Sequence, residues 1–287
     1  MQTLYHRTKD ARRPGLDRRT TKRETDMSAE NVSGWALVTG ASSGLGVEFA
    51  RLLAARGRNL VLVARSVEAL ETLAAELTAA HRVAVRVAAL DLSQPDAVIE
   101  LKRRTDGLGL RVDTLINNAG FGVHGEFVEA DSRRLQQMLD VNVSALTQLA
   151  RLYGEDMRRR GDGRMLLVAS LLGFMASPVY AAYAATKAYV LSLGEALHDE
   201  MAPHGVTVTV LAPGLTDTAF TRTAGHEASA TLKLMLMQPR PVAEAGLRAL
   251  DDGRACVVPG LLNKLSAWST RITPRGVHRR IMQALLA

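Results

Sequence analysis

Cysteine is nearly absent from this 287-residue sequence, in which Cys256 stands alone. A disulfide framework is therefore excluded, and a reducing, cytoplasmic setting is the expectation. The basic N-terminus also lacks the hydrophobic stretch that a secretory signal carries behind its charges. No repeat of roughly 20–50 residues recurs, which argues against a solenoid. No set of His, Cys and carboxylate residues has metal-ligand spacing, so no metal is expected. One stretch, Met165–Thr186, runs 22 residues without a charge, long enough to cross a bilayer. Gly173 and Pro178 interrupt it, so it reads as a buried strand followed by a loop and a helix start.

What is present is an ordinary globular composition, 47% hydrophobic and 23% charged, which excludes wholesale disorder. The formal net charge of +7 would by itself suggest nucleic acid or an anionic membrane. Its distribution says otherwise. Residues 1–26 hold eight basic and four acidic side chains, and residues 253–287 hold six basic and none acidic. The stretch between them has 22 basic against 25 acidic, so the body is mildly acidic and no nucleic-acid partner is expected. Residues 1–32 read as a basic, flexible N-terminal tail, of which residues 1–26 read alternatively as an extension upstream of a product starting at Met27. Residues 33–260 read as one domain.

Within that domain, apolar runs alternate with amphipathic stretches. Strands are expected at 36–39, 59–64, 83–88, 112–117, 164–169, 206–212 and 255–258. Helices are expected near 44–56, 67–80, 95–104, 132–159, 180–203 and 242–251. The alternation predicts an α/β, Rossmann-like, doubly wound and mainly parallel sheet of seven strands, with helices on both faces.

The turn after the first strand reads Thr39-Gly40-Ala41-Ser42-Ser43-Gly44-Leu45-Gly46. Its glycines permit a tight turn and a close backbone approach to a pyrophosphate, which the following helix N-terminus would hold. The second strand ends Ala64-Arg65-Ser66, where a NAD site would place a carboxylate for the ribose 2′-hydroxyl. A guanidinium there suits a 2′-phosphate, so NADP(H) is expected in preference to NAD(H). Asp91 and Leu92 follow the third strand. Asp91 is placed either to accept from an adenine amino group or to cap the next helix. Asn117-Asn118-Ala119-Gly120 ends the fourth strand, as turn formers or as backbone passing close to a ribose.

Tyr183 and Lys187 are four apart at a helix start and so share one face. Bringing a phenol from its usual range to neutral pH takes roughly 4 kcal/mol of preferential phenolate stabilisation, part of which the lysine ammonium supplies. Tyr183 would then exchange a proton with a substrate oxygen while a cofactor carries hydride. Ser170 ends the fifth strand and can donate to the same oxygen; because a loop follows, capping is the weaker reading. Asn142 falls inside a long helix despite its low propensity there, either holding a water that relays protons to Lys187 or as a satisfied core residue. Tyr180 has Ala184, not lysine, four residues on, and is read as uninvolved.

Together these motifs resemble the single-domain branch of the short-chain dehydrogenase/reductase family, and within it an NADP-dependent reductase-like subgroup. The resemblance covers roughly residues 33–260 and includes Pro213-Gly214 after the sixth strand. It implies NAD(P)(H)-linked carbonyl/alcohol interconversion by Asn142, Ser170, Tyr183 and Lys187. It also implies cofactor contacts extending to Pro213, Gly214, Thr216 and Thr218, and a homodimer or homotetramer paired through the long helices near 132–159 and 180–203. The basic tail departs from the family core.

Leu171, Leu172, Phe174 and Met175 are expected to flank the substrate, beneath a lid at 215–240 carrying Leu232, Leu234, Met235, Leu236 and Met237. Such lining suits a small apolar ketone, aldehyde or alcohol, although packing of the lid on the core explains the same residues. His124 and His226 are within reach of the cleft or structural. Leu261, Leu265, Trp268 and Ile272 recur at helical spacing, and Val277, Ile281 and Leu285 resume the stripe after Pro274. This basic segment, 261–287, would pack on or close over the domain, with peripheral membrane contact as the alternative. A dinucleotide-sensing or scaffolding protein of the same fold, without turnover, is the competing function.

Overall fold

Runs of Val, Leu, Ile and Ala too short for helices form the strands of a single sheet. A computed structural model describes residues 34–216 and 236–286. Its strands are β1 (Trp35–Thr39), β2 (Asn59–Ala64), β3 (Val85–Ala89), β4 (Val112–Asn117), β5 (Gly163–Val168), β6 (Val206–Leu211) and β7 (Cys256–Val257). All pair in parallel in the order β3-β2-β1-β4-β5-β6-β7. The helices are α1 (Gly44–Ala55), α2 (Val67–His81), α3 (Ala97–Gly107), α4 (Ser132–Leu139), α5 (Leu146–Arg160), α6 (Ala181–Met201), α7 (Pro239–Asp251), α8 (Leu261–Ser269) and α9 (Arg275–Leu286).

Strand side chains alternate between two cores, which is why the strands read as unbroken apolar runs. Leu37 joins Val63, Leu115 and Leu167 under α3, α5 and α6, where Leu101, Leu149 and Val190 are fully buried. Ala36 and Val38 turn the other way, onto Phe49 of α1, Leu70 of α2 and Val242 of α7. Strand order reverses between β2-β1 and β4-β5, so the loops leaving β1 and β4 diverge and open a crevice at the strand C-termini. The charge-free stretch from 165 to 186 becomes the end of β5, a short 3-10 turn (Leu171–Phe174), a loop and the start of α6. Among the described residues no helix is long and apolar enough to cross a membrane.

Among the differences from expectation, three have clear local features. β3 starts at Val85, because Asn59 Oδ1 takes the Ala84 N–H (2.9 Å) and Val83 is spent on core packing. Helix α7 begins three residues early, at Pro239, where a proline loses no helical hydrogen bond. The single helix expected at 132–159 is divided by a π-helical turn at Asp140–Ala145.

Helix α6 lies close against β5 and β6 because Gly194 has no side chain; a Cβ there would stand 2.3 Å from Val210 Cγ2 and 3.2 Å from Leu167 Cδ1. Gly194→Ala is expected to cost about 1–3 kcal/mol of stability. Gly107→Ala, at the open end of α3 with nothing near its Cβ, is expected to be neutral or stabilising by up to about 1 kcal/mol. Urea denaturation of the two variants checks the contrast, and equal losses would contradict the packing described.

Candidate functional site

The crevice begins at the turn between β1 and α1. Gly40 has φ +67°, and a Cβ on it would sit 2.9 Å from Asn118 Nδ2. A Cβ on Gly46 would lie 2.1 Å from the Gly40 carbonyl oxygen. These two glycines let the turn fold against both its own helix and the β4 loop. The N-cap residue Ser43 makes no side-chain capping bond, and the first turn of α1 holds no acidic residue. Its N–H groups are therefore left for a ligand.

A cavity of about 450 Å³ opens there, lined along one wall by Gly40, Ser42, Ser43, Gly44 and Leu45. Its far end is bounded by Arg65, Asp91 and Leu92, its floor by Asn118, Ala119 and Gly120, and its other wall by Ser170, Tyr183, Lys187, Pro213, Gly214 and Thr216. Unlike Arg51, Arg56 and Arg58, which pair with Glu76, Asp251 and Asp113, Arg65 has no described carboxylate partner and is exposed beside the cavity. Asp91 is not a helix cap: α3 begins after Asp96, and Asp91 Oδ1 accepts from the Ser93 N–H (3.0 Å) and hydroxyl (2.9 Å). Thr218 lies outside the described residues, as do His226, Leu232, Leu234 and Met235.

Several expected contacts are braces instead. Thr39 is fully buried, and its hydroxyl accepts from the backbone N–H groups of Asn118 (3.0 Å) and Ala119 (2.9 Å), while Asn118 Nδ2 donates to the Thr39 carbonyl (2.9 Å). Thr39 thus holds the cavity floor without facing it. Gly46 likewise acts through turn packing. Asn117 is buried and donates through Nδ2 to the Leu146 carbonyl (2.9 Å), which ties β4 to the first turn of α5. Asn142, in the π-helical turn, is fully buried and does not line the cavity. Its Oδ1 accepts from Phe121 N–H (3.1 Å), and its Nδ2 donates to the Phe121 carbonyl (2.9 Å) and to Thr186 Oγ1 (3.1 Å). Its amide thus finds partners within the core, and its side chain joins the β4 loop to the residue beside Lys187.

Ser170, Tyr183 and Lys187 come together at the end of β5 and the start of α6. Ser170 does cap after all: its Oγ accepts from the Leu172 N–H (3.2 Å) at the 3-10 turn, and it also hydrogen-bonds Tyr183. Lys187 Nζ lies 5.8 Å from the Tyr183 ring centroid and donates to the Val168 carbonyl (2.8 Å). Burial pushes the Tyr183 phenol well above its usual range, against the smaller pull of the Ser170 bond. Burial also brings the Lys187 ammonium down, to about 8. The expectation that Lys187 lowers Tyr183 is thus not met in this state. Desolvation acts on both groups, and the ammonium's described hydrogen-bond partner is a neutral carbonyl.

Tyr180, read as uninvolved, lines the cavity. Its ring stands edge-on to Tyr183 (centroids 6.0 Å apart) and to His124 (5.0 Å), and burial raises its phenol to about 12. The three-residue spacing of two tyrosines at a helix start was the available signal. Leu171, Leu172 and Met175 line the cavity, whereas Phe174 packs on the core. Leu236 is half-buried outside the cavity lining, and Met237 packs toward Asn263 and the core. From the C-terminal helices, Leu262, Asn263, Ser266 and Met282 complete the lining. No local motif marks those four.

The depressed Lys187 has a consequence for stability. In the unfolded chain a lysine holds its proton to near pH 10.4, whereas the folded one releases it near 8, so the unfolded state binds more protons between these values. The contribution of Lys187 to stability should therefore rise from pH 8 to 9, against the opposite contribution of the Cys256 thiol, which burial holds protonated up to about 11, and below the range where the raised phenols of Tyr180 and Tyr183 act. Lys187→Met should remove this contribution. Urea midpoints at pH 8 and 9 measure it, and identical pH dependence in both proteins would contradict the burial of a titrating ammonium.

The short chain dehydrogenase family model matches residues 34–229. A very-long-chain 3-oxoacyl-CoA reductase of Phaeosphaeria nodorum is 34% identical over 194 residues, 66% of this chain, and the match spans only 56% of that reductase. A short-chain dehydrogenase from Sphingobium yanoikuyae, solved in complex with NADPH, superposes with a TM-score of 0.76 at 32% identity, covering 85% of this chain and 94% of that one. The bulky-bulky ketone specific alcohol dehydrogenase from Comamonas testosteroni has a TM-score of 0.71 at 30% identity, covering 83% and 93%. With its parallel seven-stranded sheet, its glycine turn and its Ser170–Tyr183–Lys187 cluster, this chain belongs to the short-chain dehydrogenase family.

Proposed function

We propose that the protein is an NADP(H)-dependent oxidoreductase that interconverts an apolar ketone or aldehyde and the corresponding alcohol. The observation that carries this is the convergence of Ser170, Tyr183 and Lys187 on the same cavity as the uncapped N-terminus of α1. The residues fit a dinucleotide. The α1 N–H groups and the close-packed Gly40 turn suit a pyrophosphate, Gly120 keeps the floor low, and Arg65 is available for a 2′-phosphate. A Cβ on Gly120 would stand 2.9 Å from Asn142 Oδ1 and 3.3 Å from Lys187 Nζ, so that part of the floor tolerates no side chain.

When bound, the nicotinamide supplies or accepts hydride at the substrate carbon. The protein's own part is the proton. A buried, neutral Tyr183 phenol donates to the carbonyl oxygen in reduction, and the phenolate that remains is the anion the buried Lys187 ammonium lacks. In the reverse direction the phenolate takes the hydroxyl proton. Ser170 orients the same oxygen, and Asn142 acts as a positioning residue through Phe121 and Thr186. Leu171, Leu172, Met175 and Tyr180 give the substrate end an apolar wall, in keeping with the acyl and bulky ketone substrates named for the relatives. Exposed Leu139, at the end of α4, and Tyr189, on α6, suit pairing of two or four copies.

NADPH oxidation against a panel of apolar ketones and aldehydes tests the reading. Tyr183→Phe should lower kcat by roughly 10²–10⁴-fold with NADPH binding retained. Undiminished turnover would overturn the proton role, and binding without turnover on any carbonyl would favour a sensor. Arg65→Ala should weaken NADPH binding by roughly 10–100-fold and leave NADH unchanged, as expected for loss of a charged hydrogen bond. Equal losses for both would refute the 2′-phosphate contact.

A further inference from the structure

Helices α8 and α9 are turned the wrong way round for a soluble surface. An amphipathic helix ordinarily buries its apolar stripe. On α8 the side facing the domain carries Asn263, Ser266 and Ala267, while Leu261, Leu265 and Trp268 face outward at 73%, 53% and 56% exposure. Ile272 continues the stripe beyond the helix, and Val277 and Ile281 resume it on α9, all at least half exposed. Of the 14 large apolar side chains exposed among the described residues, seven fall between 261 and 281. Lys264, Arg271, Arg275, Arg279 and Arg280 flank the stripe and are exposed. Several surface arginines elsewhere pair: Arg103 and Arg104 with Glu100, Arg159 with Asp156, Arg248 with Glu244. These five basic residues have no described carboxylate partner, and residues 253–287 contain no acidic residue at all.

We propose that α8 and α9 dock the protein on an anionic lipid surface, with the outward stripe in the interface and the basic side chains at the headgroups. The charge selects this occupant. A second copy meeting the same face would bring like charges together, so self-association there is opposed, whereas anionic headgroups complement it. Leucine, isoleucine and tryptophan on one side with only basic charges beside them is the composition of a helix lying in a membrane interface. Leu262, Ser266 and Met282 also line the cavity, so the docked face adjoins the site. The docking does not depend on the proposed reaction, because vesicle binding is read without turnover.

The test is sedimentation of the full chain with vesicles of phosphatidylcholine alone or containing phosphatidylglycerol, at physiological salt. The protein should pellet with the anionic vesicles and not the neutral ones. Trp268 emission should shift to the blue, a change Trp268→Phe removes. Arg275→Ala/Arg279→Ala/Arg280→Ala should lower partitioning roughly a hundredfold, at about fivefold per basic residue, with an unaltered unfolding midpoint. Leu265→Gln/Ile272→Gln should also release it. Absence of pelleting on anionic vesicles, equal pelleting on both kinds, or a triple variant that binds as well as the parent would each overturn the proposal. So would concentration-dependent self-association abolished by Leu265→Gln in a protein that binds no vesicle.

Discussion

The candidate site depends on how closely the ends of β1 and β4 are held where strand order reverses. Parallel strands on either side of that point send their loops to opposite faces, so a crevice opens by topology alone. What gives it a usable floor is the buried Thr39 hydroxyl, which collects two backbone N–H groups from the β4 loop, and the absence of side chains at Gly40 and Gly46. Asn117 and Asn142 extend the same bracing to α5 and α6. A chain of buried hydrogen bonds therefore runs from the glycine turn to the residue next to Lys187. Buried polar groups cost most when unpaired, which makes such a chain rigid.

That rigidity holds an unfavourable electrostatic arrangement in place. Lys187 is an ammonium in the interior with the Val168 backbone carbonyl as its hydrogen-bond partner, and burial holds the Tyr183 phenol above its usual range. Each group has what the other requires. Loss of the phenolic proton would give the ammonium a counter-charge. Tyr180 stands edge-on to Tyr183 and is itself met edge-on by His124, which adds to the apolar surroundings of the phenol.

Most of this was legible because it is written locally. Strand runs, the glycine turn, Arg65 at the end of β2 and the Tyr183–Lys187 spacing each depend on a few adjacent residues. What escaped depended on residues distant in sequence. Nothing near Thr39 says that its hydroxyl will be consumed by Asn118 and Ala119, so it read as a ligand contact. Nothing near Leu262 or Met282 says that they will reach the cavity. The π-helical turn at Asp140–Ala145 is invisible to a periodicity that only distinguishes helix from strand. The spacing from Tyr180 to Ala184 offers no lysine partner, and it is tertiary packing that puts Tyr180 beside Tyr183. The stripe from Leu261 to Ile281 was seen, but periodicity cannot say which side of a helix meets the protein.

The central claim is that this cavity brings a carbonyl, a dinucleotide and the Tyr183 proton together. The most direct measurement is isotope transfer with NADPH doubly deuterated at nicotinamide C4 and an apolar ketone. One deuterium on the carbinol carbon of each product molecule is the predicted result. An alcohol formed without deuterium at that carbon would contradict the account.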